Sequence, residues 1–358
     1  MDANGQKPPP PVLIWEEKRE GGKRTERELN EESRKAGTDF ETALFLLLSC
    51  LPPFLICPLR LPLRCAALGF AVALLPLVGA ADEIRVPGGV VEMTLTESAP
   101  DAFRKLANEW TETSARAVSG YYGKFPVKKV RLQIKPAGGT GSGDGYSNGW
   151  KGATITISLG RASTRKDIRD DWQLPHEMVH LAFPNVADKH HWIEEGIATY
   201  VEPIARARAK IITPQEAWFG MVDGMPQGLP KAGDRGLDVT HTWGRTYWGG
   251  ALFCLRADLE IRRRTGNRKG LEDALRGIPA AGGSIETAWE LSRALDAGDR
   301  AAGVPVLSEL YAEMKDKPVN VDLDEIWKKL GIQKRGETVV FDDHAPWVAI
   351  RRAIIPER

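Results

Sequence analysis

Residues 176–180 read His-Glu-Met-Val-His and use two of the chain's six histidines. On an α-helix, positions four apart lie one above the other, about 6 Å apart along the axis. A helix here would aim the imidazoles of His176 and His180 at a single ion held at roughly 2.0–2.1 Å from each nitrogen. Glu177 would then lie beside the ion, placed to take a proton from an attacking water. Pro175 directly precedes the motif, and proline fits only near a helix start, so the helix should begin within a few residues of it. Two imidazoles do not complete a metal site. The fold must bring a third donor against this helix.

The stretch HHWIEEGIATYVE, residues 190–202, offers one. On a helical wheel Ile193, Ile197, Tyr200, Val201 and Ile204 form an apolar face. Glu195 lies on the opposite side with Gly196, Ala198 and Thr199, small residues that let another backbone come close. A carboxylate on such a face is costly unless it is paired or metal-bound. Glu194, on the flank of the apolar face, is the lesser candidate. A solvated acidic face with two surface glutamates is the plainer alternative.

Taken together, HEMVH followed by WIEEGIATYVE resembles the gluzincin zinc metallopeptidases, especially the aminopeptidase N-like and glycyl-aminopeptidase-like families. In that resemblance the third zinc ligand is the Glu before Gly in a Trp-x-x-Glu-Gly-x-Ala-x-Tyr pattern, which falls on Glu195. A third block, RTYWGGALFCLRADLEIRRRTGNRKGLEDALRGI at 245–278, is similar to the Tyr-x-Lys-Gly helix of the glycyl-aminopeptidase-like family. The likeness covers roughly residues 118–280. It implies a thermolysin-like catalytic domain, one Zn2+ per chain on His176, His180 and Glu195, Glu177 as general base, Tyr247 as donor to the transition-state oxyanion, and a peptide or protein substrate. Three departures stand out. Only fourteen residues separate His180 from Glu195, Gly249 replaces the lysine of the Tyr-x-Lys-Gly pattern, and the region SNGWKGATITI lacks the acid that holds a substrate's amino group in the aminopeptidases.

The surrounding pattern is α+β, a small mixed sheet followed by a mostly helical half. Residues 99–118 carry apolar residues at helical spacing, while 127–134 and 153–159 alternate as half-buried strands do. The latter strand could pair with an extended substrate. The glycine-rich stretch 138–149 has no Lys after its glycines and no following helix, so it reads as a flexible loop, not a phosphate cradle. Helices are expected at 175–183, 193–210, 248–264, 270–277, 283–296, 305–314 and 323–330. The domain division that follows is 82–165, β-rich; 166–340, helical and carrying the zinc site; and 341–358, a tail with a short helix.

Charge is balanced, with 49 Lys plus Arg against 48 Asp plus Glu, so no basic excess points to nucleic acid. Residues 1–40 are polar and Pro-rich and read as disordered. The arginines of RLPLR, the 15-residue apolar run 65–79 and the small residues around Ala80 have the three parts of an export signal, with cleavage after Ala80 giving a periplasmic or secreted protein. The alternative is that 43–59 anchors the chain in a membrane, with the catalytic domain outside the cytoplasm. Three of four cysteines lie at 50–65, so a chain cut after Ala80 keeps only Cys254 and has no internal disulfide.

Other polar residues have lesser claims. Asp188 and Thr199 could orient a zinc-bound imidazole through its other nitrogen. His241, six residues before Tyr247, could replace it as the oxyanion donor. His190 and His191 are candidate ligands, or residues that support the ligands from behind. Asp342, Asp343 and His344 are expected to cap a last helix. A rival reading of the whole is a catalytically silent module that keeps the zinc fold and binds peptides. It leaves Glu177 and Tyr247 without a chemical role.

Overall fold

The computed structural model describes residues 81–357. The proposed disordered extension, the 43–59 anchor and the export signal ending at Ala80 lie outside the described residues. Strands β1 (Asp82–Val86) and β2 (Gly89–Leu95) form a hairpin, and helix α1 (Asp101–Tyr122) crosses from β2 to β3 (Lys129–Ala137). Strands β4 (Ser142–Asn148) and β5 (Thr154–Gly160) complete a five-stranded sheet in the order β1-β2-β3-β5-β4. β2-β3 and β3-β5 are parallel, and the two outer pairs are antiparallel. Val130, Leu132 and Ile134 of β3 and Ile155, Ile157 and Leu159 of β5 are buried. Lys129, Arg131, Gln133 and Lys135 point to the other face and are exposed. A sheet with one apolar and one charged face packs helices on one side only.

Helix α1 lies on that apolar face through Phe103, Ala107, Trp110, Val118 and Tyr121. It stops at Gly123, whose φ of 80° is the left-handed conformation a helix terminus favours in glycine. From α2 (Arg165–Asp170) the chain is mostly helical: α3 (Gln173–His180), α4 (His191–Arg208), α5 (Pro214–Gly224), α6 (Gly250–Thr265), α7 (Leu271–Ala280), α8 (Leu291–Ala302), α9 (Val306–Met314), α10 (Leu323–Leu330) and α11 (Val348–Ile354). A hairpin of β6 (Ile332–Arg335) and β7 (Thr338–Phe341) separates the last two. The α+β architecture expected from the sequence is the one observed. No helix among the described residues is long and apolar enough to cross a membrane.

Several local expectations are corrected. The glycine-rich stretch 138–149 is no loop: it contains β4, the sheet's outer strand. Strand β5, expected to meet substrate, is paired on both sides, so the open edge belongs to β4. Residues 283–290 are irregular, because Asn185 bonds the carbonyls of Ile285 and Thr287 and bridges to Ala288, and the helix starts only at Leu291. Asp342 and Asp343 do not cap α11, whose first residue is Val348. Asp343 instead pairs with Arg351 at 2.6 Å, a guanidinium wholly buried in the C-terminal packing.

Candidate metal centre

Helix α3 is only eight residues long and is fixed at its start from outside. The Asp171 carboxylate accepts from the backbone N–H of Gln173 at 3.3 Å and Leu174 at 3.1 Å, and from Trp110 Nε1 of α1 at 2.8 Å. Ser142 of β4 also donates to it. Pro175 occupies the third helical position, in the first turn, where a missing N–H costs nothing. The rings of His176 and His180 consequently lie 4.9 Å apart at 82°, with Trp172 edge-on to His176 at 5.5 Å.

Helix α4 supplies the third donor. Its apolar stripe, Ile193, Ile197, Tyr200, Val201 and Ile204, is at most 3 % exposed. The small face opposite packs against α6 so closely that a Cβ on Gly196 would sit 2.3 Å from Gly250 Cα. Between these contacts Glu195 turns toward α3: Oε2 lies 3.0 Å from His176 Nε2 and 3.7 Å from His180 Nε2. One donor atom from each of the three residues falls within 4.8 Å of the others.

Donors around a tetrahedral zinc with bonds near 2.0–2.1 Å stand about 3.3–3.5 Å apart, a figure that the two observed separations bracket. Two imidazoles and one carboxylate are also the chemistry of a zinc site that keeps one position open. The electrostatics agree. Burial pushes the Glu195 carboxyl up, yet the His180 charge and the His176 hydrogen bond hold it down at about 2. Burial pushes the His176 imidazole down, and the hydrogen bond and charge of Glu195 more than reverse that. Positive charge is favoured at the point where the three side chains meet. The residues fit zinc.

Glu177 is buried beside this point and backed by β4. Ser147 Oγ lies 2.6 Å from Glu177 Oε2 and 2.9 Å from the Glu177 carbonyl oxygen. Tyr247 stands beside His176. It belongs to a π-helical turn, Arg245–Gly249, that runs directly into α6; such turns occur often at functional sites. Its ring stacks with that of His176 at 6.2 Å between centroids and with Trp243 at 5.6 Å. The turn is tied down by Arg245, whose Nε lies 2.8 Å from Asp234 Oδ2 with both side chains buried.

The lesser candidates spread out. Thr199 has its hydroxyl buried without a hydrogen-bond partner among the described residues. Asp188 and His241 are exposed, and among the described residues neither makes a side-chain hydrogen bond. His191 lies at the rim, with Nε2 3.4 Å from Glu195 Oε1 and Nδ1 3.3 Å from Glu194 Oε2. His190 turns away and pairs with Asp238 at 2.9 Å. Asp238 is one residue that sequence reasoning missed. It also accepts from Trp192 Nε1 at 2.8 Å and Tyr311 OH at 2.7 Å, and so pins the start of α4. Ser147 is another, since nothing in a glycine-rich stretch points to a partner 30 residues away.

No protein-family model and no curated protein matches the sequence. Among solved structures, an aminopeptidase N family protein from Idiomarina loihiensis matches with a TM-score of 0.54 at 13 % identity, over 72 % of this chain and 50 % of its own. The chain shares its fold with part of that protein. It spans about half the length of the structure it matches. An M1 zinc metallopeptidase from Deinococcus radiodurans aligns more loosely, with a TM-score of 0.44 at 15 % identity, over 67 % of this chain and 52 % of its own. The gluzincin resemblance carried by three short sequence blocks thus has its counterpart at the level of the fold.

Proposed function

We propose that this protein is a zinc-dependent metallopeptidase that hydrolyses peptide bonds. The observation that carries the reading is the convergence of His176, His180 and Glu195 donors from two helices, with the phenol ring of Tyr247 stacked on His176 and the Glu177 carboxylate next to it in sequence. Zinc, when bound by these three residues, would polarise the scissile carbonyl and activate water for attack. Glu177 takes the proton of the attacking water and passes it to the leaving amine, both within reach of one carboxylate. Tyr247 donates its hydroxyl proton as a hydrogen bond to the oxygen on which negative charge grows, a contact stronger in the transition state than before it. Burial of His176, Glu177 and Glu195 keeps bulk water from screening these charges.

Export is part of the proposal, on the strength of the arginine flank, the apolar run and the small residues at 78–81; N-terminal sequencing of mature protein should begin at Ala81 or close to it. An intact chain beginning near Met1 and integral to a membrane would favour the 43–59 anchor. The function itself is tested by incubating the protein with a mixed peptide library and mapping cut positions by mass spectrometry. Cuts that vanish with a chelator and return with zinc support it. A protein that binds zinc yet cuts nothing would be the silent peptide-binding module instead.

A further inference from the structure

We propose that Ser147 is a positioning residue for the general base, and that the inward face of β4 is built as a seat for the Glu177 carboxylate. The inference rests on the metallopeptidase reading above and adds a residue to it. Along β4 the side chains at 145 and 147, beyond a bulge, share the face turned to Ile155 and Ile157. They are Gly and Ser. Ser147 Oγ is 2.6 Å from Glu177 Oε2. A Cβ at Gly145 would lie 3.3 Å from Glu177 Oε1 and 3.3 Å from its Cγ. One carboxylate oxygen is therefore clamped by a hydroxyl, while the other lies over a position with no side chain to crowd it.

A carboxylate at the end of two methylenes rotates unless something holds it. A base that must meet a water in one geometry loses rate when it wanders by even an ångström. Fixing Oε2 leaves Oε1 as the oxygen that receives the proton. The same hydroxyl lies 2.9 Å from the Glu177 carbonyl oxygen, one of the last four of α3 and so without an acceptor role inside the helix. A serine has a single proton to donate, so it bonds one of these oxygens at a time. The competing role for Ser147 is to cap the helix end. Of the two distances, the carboxylate's is the shorter, and a charged acceptor makes the stronger bond.

The experiment compares the full chain with its S147A, S147T and S147C variants, using the library peptide cut fastest, resynthesised as a quenched fluorogenic substrate. Zinc content is measured beside kcat and KM. Expected in S147A is a kcat about tenfold lower, with KM changed less than twofold and zinc content unchanged. S147T should recover most of the rate, because it keeps the hydroxyl. S147C should not, because it keeps the shape with only a weak donor. A second arm needs no turnover: the fall in Tm caused by S147A is measured in the wild type and in an E177A background. Different falls show that the hydroxyl serves the carboxylate. Identical falls, or an S147A or S147C enzyme as fast as the wild type, would overturn the proposal and leave Ser147 as a helix cap. If the wild type binds no zinc, or E177Q is as active as wild type, the metallopeptidase reading itself fails, and this result is distinct from the others.

Discussion

Helices α3 and α4, which carry Glu177 and the candidate metal donors, and strand β4, which lies against Glu177, build the site by opposite means. The helices carry their function in side chains: two imidazoles, two carboxylates and an apolar stripe, set at spacings only a helix turns into one cluster. β4 carries its function in what it lacks. Its residues SGDGYSN include a glycine, Gly145, at an inward position against Glu177, a bulge between Gly143 and Tyr146, and Asp144 at φ 43°. Small residues make poor strand formers, and this segment is a strand because β5 pairs with it and α3 packs on it. The helical side could be recognised from a few letters. The strand side exists only in the tertiary structure.

The sharpest way to break the comparison is at the helices, where each residue has one task. His180→Ala should abolish zinc binding and activity together, as measured by metal analysis on purified protein. Glu177→Gln should keep full zinc and lose activity by on the order of 10³-fold, because Glu177 is no ligand. A Glu177→Gln protein without zinc would put Glu177 in the metal's own coordination and move the base elsewhere.

Legibility follows the same division. The third candidate donor could be read because Glu195 sits on a face of small residues, which burial then makes costly for any unpaired acid. Helix α10 runs over the residues its apolar period marks, 323–330. Other elements have local signals that apolar periodicity does not show. Thr213-Pro214 with Glu216 is a capping box opening α5, and Gly336 at φ 59° turns the β6–β7 hairpin. Still others had no local trace. Asp238 gathers His190, Trp192 and Tyr311 from positions 46 to 73 residues away, and Asn185 unwinds the segment at 283–290 from a hundred residues off. Long-range polar contacts of this kind leave no periodicity to read.

Next in size is Tyr247, whose ring stacks on His176. Tyr247→Phe keeps the ring stacked on His176 and removes only the hydroxyl. Turnover should fall by about a hundredfold, with zinc content and Tm little changed. A variant that loses stability instead would make the phenol a packing group.

Smaller again is a change that pries the helical side apart without touching a ligand. A Cβ on Gly250 would lie 2.1 Å from the Trp192 carbonyl oxygen and 2.6 Å from Gly196 Cα, both backbone atoms of α4 that cannot give way. Gly250→Ala should cost about 1–3 kcal/mol, read by denaturant unfolding, and should weaken zinc binding because α4 carries Glu195. Gly220→Ala is the control, since a Cβ there meets nothing within 4 Å. It should be neutral or slightly stabilising, as alanine is the better helix former. Equal effects at the two positions would mean that the close approach of α4 and α6 does not hold the site.

The smallest expected effect falls on His241, the rival to Tyr247 for the oxyanion. Sequence distance alone could not separate the two, since six residues lie within a single loop's reach. In the structure Tyr247 is half-buried against His176, on a turn anchored by the buried Arg245–Asp234 pair, whereas His241 is exposed ahead of that turn. An exposed side chain in a solvated loop pays more to be ordered at the moment of reaction, and water screens what charge it brings. His241→Ala should therefore leave kcat and KM within about twofold of wild type, inside the range of an ordinary surface substitution. Should His241→Ala collapse activity while Tyr247→Phe leaves it intact, the donor is the histidine. The loop would then have to close over substrate, and the π-turn would be scaffold for that closure.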